Sequence, residues 1–532
     1  MKNKFGNRYT RAIATFHFHK FVQRFRRTFS LTLSFILLFA CFPANARESK
    51  KTLQENGNTT LSLPSYVMDG MVLQQNKTTT LNGSAPKSSS GKTISVTLRG
   101  GKHKYAGSST IGKIGKFSIK LPRIKGSLVQ YTMEFAIATT VVKTVHDVCV
   151  GELFIAAGQS NMEINYNDYL KSDSAFKANT SSRYTRDNIP KNINDQYVHF
   201  LSPARDLNAK DYPLRDVEKD NWLTATGDGA NYLGYIPQFF AQQLRKKYPN
   251  IPVGFIQTAW GGTMISHHIK GGDIYKNRIA PLQGLAVAGV LWYQGEDDSG
   301  TMDSALRYNI SFATLINDYR DLFNDETLPF LYVQLARYDG YGYIYNTIVR
   351  NAQLSILDSS VIASHKNLGM TVSIDTDKGT SKAIHPLGKE IVAQRMANQW
   401  IAMNEHTTVP SGPLPKEAHL DPKDQSTAIV TFKTGTSVKL QAKRPNYTTN
   451  ATFDAIASAT NTPPSGFQVA DGDGVMHNAT ATIAGDALRV HSNEVNHITQ
   501  IQYLWQSNPD CSSIIYNSSY LPLSPFTLNV NR

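Results

Sequence analysis

The sequence predicts an α/β fold, a parallel sheet covered on both faces by helices and flanked at each end by a β-rich region. Two textures and one size predict it. Between residues 148 and 405, apolar runs of strand length alternate with segments of helical periodicity. On either side, short stretches alternate apolar and polar residues with Gly, Ser and Lys between them, the pattern of half-buried strands. At 532 residues the chain exceeds one ordinary core, so two to four domains are expected.

The elements follow in order. Residues 1–46 hold eight Lys or Arg and no Asp or Glu, and close with "FSLTLSFILLFACFPANA". A basic stretch, an apolar run and an A-x-A pattern at 44–46 read as an export signal, which sends the chain to the periplasm or outside the cell. The apolar run is short for a membrane-spanning helix, which needs about 20 residues. Lipid attachment at Cys41, in "LFAC", is the rival to simple cleavage. The formal charge of +14 belongs mostly to this leader; without it 47 basic residues face 41 acidic ones. That balance removes the case for nucleic acid as a partner, and nothing beyond the leader suggests a membrane. Cys149 and Cys511 then remain, too few and too far apart for a disulfide framework. Cys149 sits in an apolar run as a small hydrophobe. No CxxC, HExxH or spaced His cluster supports a metal or other cofactor.

Residues 47–147 carry the strands "TISVTLRG", "GKFSIKLP" and "YTMEFAIA". Residues 148–405 carry "ELFIAA", "PVGFIQ", "VAGVLWY", "FLYVQLA" and "GMTVSID" as strands of the parallel sheet. Phe312, Leu315, Ile316, Tyr319, Leu322 and Phe323 repeat as one face of a helix, and so do Val392, Met396, Trp400 and Met403. The polar stretch 165–230 lacks a period and reads as a long excursion over the top of the sheet. Residues 406–532 return to β texture with "TAIVTFKTG", "ATATIAGDALRVHS" and "ITQIQYLW".

In an open parallel sheet, ligands bind beyond the carboxyl ends of the strands. After "ELFIAA" come Gly158, Gln159, Ser160 and Asn161; beyond "GFIQTAW" lie Gly261, Gly262 and Thr263; after "VLWY" stand Gln294, Gly295 and Glu296; and "TVSI" leads to Asp375, Asp377 and His385. Singly, these are the residues of caps and turns. Together on one sheet edge they are parts for acyl transfer. A serine needs a base to take its proton, so a histidine must reach it. The oxyanion that forms needs fixed donors, which the backbone N–H groups of Ser160 and Gly262 and the Gln294 side chain supply.

"VGELFIAAGQSNME", "GGTMISHHI", "VLWYQGEDD" and "IHPLGKEIVAQRMA" resemble the sialate O-acetylesterase family of SGNH-type hydrolases. The likeness extends to "LPSYVMDGMVLQQN" at the start and to "GFQVADGDG", "YLWQSNP" and "LPLSPF" near the end. It implies an SGNH-like αβα sandwich, Ser160 as nucleophile and His385 as base. It also implies oxyanion contacts from the Ser160 amide, a glycine of the Gly261–Gly262 pair and Gln294. Gln159 and Asn161 are expected to hold the loop and help position the acyl group, and Glu296 is a further candidate for substrate binding. The implied reaction removes acetyl groups from sugar hydroxyls, notably of O-acetylated sialic acid, as a serine-dependent ester hydrolase. The sequence departs from the family where many relatives carry an acid two residues before the histidine; here that position is Ala383. A carboxylate there would orient the imidazole. Either a Ser–His dyad operates, or Asp377, Asp375 or Glu296 supplies the acid, with Asp377 nearest along the loop. His267 and His268 after the glycine turn line the pocket or sit on a surface. Tyr166, Tyr169, Trp222 and Tyr232 are candidate sugar-stacking residues. Acetylxylan or another polysaccharide is the rival substrate, and a carbohydrate-binding protein with a decayed site is the rival function.

Overall fold

The structure, a computed structural model, describes residues 60–169, 189–201, 222–445, 457–460 and 462–531. The expected leader, with Cys41, lies outside them. The first strands are β1 (Val72–Gln74), β2 (Thr79–Ser84), β3 (Thr93–Gly100), β4 (His103–Thr110), β5 (Lys116–Leu121), β6 (Ser127–Ile137) and β7 (Thr140–Gly158). Strands β2 and β5 pair with each other, and β3 lies between β4 and β6. Their patterning is the one expected: β5 alternates exposed and buried residues along its length.

β7 is the pivot. Its first half pairs antiparallel with β6, while its second half lies parallel between β10 (Val253–Gln257) and β11 (Gly289–Tyr293). It therefore runs unbroken past residue 147, and the N-terminal strands and the parallel sheet share one strand. The remaining sheet strands are β8 (Asp195–Leu201), β9 (Leu223–Ala225), β12 (Phe330–Gln334) and β13 (Leu368–Val372). Their order is β13-β12-β11-β7-β10-β8-β9, parallel except for the β8–β9 pair. All five residues of β10, β11 and β12 are buried, because helices cover both faces.

β8 corrects one expectation. The stretch 165–230 is not wholly an excursion, since Val198, Phe200 and Leu201 are fully buried in a strand beside β10. Its short apolar core sits among polar neighbours, which hid the period.

The helices are α1 (Ser160–Glu163), α2 (Tyr235–Lys247), α3 (Met302–Phe323), α4 (Asn346–Ser355) and α5 (Lys389–Asn404). α3 begins at Thr301, whose hydroxyl accepts the Ser304 N–H, and ends at Asn324 in the left-handed region with φ 51°. Its expected face of Phe312, Leu315, Ile316 and Tyr319 is buried. No described helix is long and apolar enough to cross a membrane.

The C-terminal residues form a closed barrel and a three-stranded sheet. Cys149 and Cys511 are both buried.

Candidate active site

The nucleophile candidate stands where the sheet changes direction. β7 has β10 on one side and β11 on the other, so the loops after these three strands meet at one edge. Gly158 ends β7 with φ +124°, and a Cβ there would lie 2.2 Å from the carbonyl oxygen of Tyr293. Only glycine permits so close an approach. The Gln159 N–H then donates to that same carbonyl at 2.9 Å, and the chain turns into α1 with Ser160 as its first residue. Gly261 packs directly on the serine: its own Cβ would sit 3.1 Å from Ser160 Cβ. Its N–H is spent on Glu163 Oε2 at 2.9 Å. Gly262 has φ +70° and open space around it. Among the described residues, the N–H groups of Ser160 and Gly262 donate no hydrogen bond.

Ser160, Gly262 and His385 line one open cavity of about 480 Å³, together with Gln159, Glu163, Asp168, Asp297 and Tyr343. Burial first, and then the Lys389 cation, push the His385 imidazole down to about 4. It is therefore neutral at neutral pH, the state a general base needs. The Tyr169 hydroxyl donates to the backbone carbonyls of His385 and Pro386 at 3.3 and 2.9 Å, fixing the loop from below.

Asn161 joins the two loops. Its amide donates to Glu296 Oε1 and to the Ile384 carbonyl at 3.0 Å, while its oxygen accepts from Lys389 Nζ at 2.6 Å. Glu296 and Lys389 are both buried. Desolvation pushes the carboxyl up to about 7, against the pull of the Asn161 hydrogen bond, and the ammonium down to about 7, against the pull of Glu296. Gln159 makes the parallel link to the loop after β11. Its amide donates to Asp297 Oδ2 at 2.9 Å, and its oxygen faces the N–H groups of Gly295 and Asp297 at 3.4 Å.

Several expected placements differ. Gln294 is fully buried and outside the cavity; its amide donates to the Thr263 carbonyl at 3.0 Å and to Asp298 Oδ2 at 2.5 Å. Both amide protons are used, so Gln294 braces the glycine loop and presents no donor to an oxyanion. Asp377 is held by the Arg337 guanidinium and the Gly379 N–H, its carboxylate fully buried and away from the cavity. Asp375 is an anchor, clasped by both terminal nitrogens of Arg395 at 2.7 and 2.8 Å and by the Tyr516 hydroxyl at 2.9 Å. Glu296 reaches the site only through Asn161. Tyr169 and Trp222 are buried core residues, the Trp222 indole donating to the Tyr66 carbonyl. His268 is buried against Trp292, with its Nε2 2.9 Å from Thr263 Oγ1, while His267 pairs with Asp273 at the surface.

Against known proteins, residues 150–398 match the family model for "Carbohydrate esterase, sialic acid-specific acetylesterase". A crystal structure of a carbohydrate acetylesterase from Xanthomonas citri superposes with a TM-score of 0.71 at 26% identity, covering 88% of this chain and 99% of that one. The match to this carbohydrate esterase family thus spans residues 150–398, the parallel sheet and its helices. The chain is also 24% identical to the sialate O-acetylesterase of Homo sapiens over 413 residues, 67% of this chain and 74% of that protein. With the rat sialate O-acetylesterase it shares 22% over 564 residues, 88% and 94% of the two chains.

Lys389, Glu163, Asp297 and Tyr343, all at or beside the Ser160 cavity, had no signal of their own in the sequence. Lys389 lies four residues beyond His385, on the first turn of the helix that "IHPLGK" opens, which is the spacing that could have found it. Glu163, three residues after Ser160, shares its short helix. Asp297 follows the noted Glu296 directly. Tyr343 lies in the loop after β12, well past the strand's end.

Proposed function

We propose that the chain is an exported serine O-acetylesterase acting on acetylated sugars. Ser160 and His385 sharing one cavity with two unspent backbone N–H groups carries this reading. Ser160 Oγ attacks the ester carbonyl as the neutral His385 imidazole takes its proton. The oxyanion rests on the Ser160 and Gly262 N–H groups. The ester C–O bond breaks, the sugar hydroxyl leaves with the proton from the imidazolium, and water attacks the acetyl-serine to release acetate. The basic, then apolar leader of residues 1–46 supports export.

Sialic acid is the sugar that the relatives' names favour. A second reading, an uncharged sugar such as acetylated xylan, is favoured by the cavity wall. Among the described residues its charged side chains are Glu163, Asp168 and Asp297, with no Lys or Arg. A sialic acid carboxylate held there meets like charges, which is how a site discriminates against a ligand.

Acetate release from 9-O-acetylated sialic acid and from acetylated xylan, beside a folded Ser160→Ala variant, tests both. The variant is expected to lose roughly 10⁴-fold or more in kcat. Undiminished release from the variant overturns the mechanism; release from one substrate alone decides the sugar.

A further inference from the structure

Residues 338–345 read "YDGYGYIY", four tyrosines in one loop, of which only Tyr343 lines the cavity that holds Ser160. Tyr341 is 95% exposed and Ile344 63% exposed. Large apolar side chains left open within one short loop mark a surface that meets something. The loop is held, not frayed. The Tyr338 N–H donates to the Ser507 carbonyl at 3.0 Å, the Asp339 N–H to the Ser381 carbonyl at 2.8 Å, and the Tyr345 N–H to the Ser299 carbonyl at 3.1 Å. Within it the Tyr338 and Tyr343 rings lie 5.9 Å apart. The Tyr338 ring folds against the turn, so close that a Cβ on Gly340 would stand 2.0 Å from it.

Tyr343 continues this surface into the cavity that holds Ser160 and His385. Tyr341 lies outside that cavity, free to meet parts of a ligand that extend beyond it.

We propose that residues 338–345 form a sugar-binding platform for the units next to the acetylated one, with Tyr341 as its stacking residue, so that the substrate is an oligosaccharide or polysaccharide. This rests on the reading that the cavity deacetylates sugars. The occupant is a pyranose chain because the surface is continuous with a site for acetylated sugars. The negative face of an aromatic ring attracts the C–H face of a pyranose, and the phenol oxygen remains wet and able to bond sugar hydroxyls.

The test compares wild type, Tyr341→Ala and Tyr341→Trp on chemically acetylated xylohexaose, 9-O-acetylated α2,8-linked oligosialic acid and 4-methylumbelliferyl acetate. The readout is the ratio of oligosaccharide to aryl-acetate kcat/KM. For at least one oligosaccharide that ratio is expected to fall about tenfold in Tyr341→Ala, through KM, the size of one lost aromatic contact. Tyr341→Trp is expected to restore it. An unchanged ratio on both oligosaccharides, or an equal fall on all three substrates, overturns the platform. Should the wild type hydrolyse none of the three, the esterase reading fails and the platform is decided separately, by calorimetry with unacetylated xylohexaose and oligosialic acid. Weaker binding by Tyr341→Ala then supports it, and equal or absent binding overturns it.

Discussion

Lys389 sets the electrostatics of the site from within the protein. Its ammonium touches Asn161 rather than substrate, yet its charge helps hold the His385 imidazole down at about 4. The rising limb of kcat/KM with pH is therefore expected near 4, since the base works only when neutral. Lys389→Met removes the cation, so the limb moves up towards the ordinary histidine value; a pH–rate profile of the folded variant reads this. A limb that stays in place would make Lys389 purely a strut. Stability carries a related sign. His268 is pushed down to about 3 by burial, so between that value and 6.5 the unfolded chain binds more protons than the folded one. Its contribution to stability is thus lost as pH falls through that window. Gln294 and Asp377 show what a sequence leaves out at this scale. Both lie on the expected loops, but the direction of each side chain is decided by groups remote in sequence. Thr263 lies 31 residues away from Gln294, and Arg337 lies 40 away from Asp377.

Strand ends are where the elements place the chemistry, and β7 approaches β11 closely there. Gly158→Ala must fit a Cβ 2.2 Å from a backbone oxygen at φ +124°. The variant is expected to lose about 2 kcal/mol or more of stability, with activity, in urea denaturation. Gly262→Ala carries backbone strain alone, because nothing lies within 4 Å of its Cβ, and is expected to cost less. Equal costs would mean that the β7–β11 contact is looser than this geometry. Elements of this sheet were legible for the same physical reason that makes it tight. Strands buried on both faces read as continuous apolar runs, and α3 and α5 carry full helical faces. β8 and α2 were not legible, because a strand of seven residues amid polar chain and a helix beginning "YIPQFF" lack a clean period. The nucleophile was found because it follows an apolar strand directly and the histidine because it belongs to "IHPLGK", whereas Tyr343, in the loop after β12, stands in no such motif.

At the scale of the whole molecule, the catalytic sheet and the C-terminal residues share buried polar groups, not only apolar surface. Arg350, on α4, is fully buried and donates to the carbonyls of Leu335 and Ala336 at the end of β12, and to those of Gln506 and Ser507 at 2.7 and 2.9 Å. Asp375, just past β13, takes the Tyr516 hydroxyl, and Gln334 Nε2 donates to Ser524 Oγ at 2.8 Å. The platform loop is tied to Ser507 as well. Cutting the chain after residue 405 would strip these partners from groups that are out of water. An unpaired buried charge or donor costs about 1–5 kcal/mol each, comparable in sum to the stability of a whole domain. Residues 47–405 expressed alone are therefore expected to lack a cooperative thermal transition, while the chain from 47 to 532 melts in one step. A fragment with its own sharp transition would show that the C-terminal region is an appendage to an independently folding sheet. The absence of one would make that region part of what holds the loops after β12 and β13, which carry Tyr343 and His385, in place.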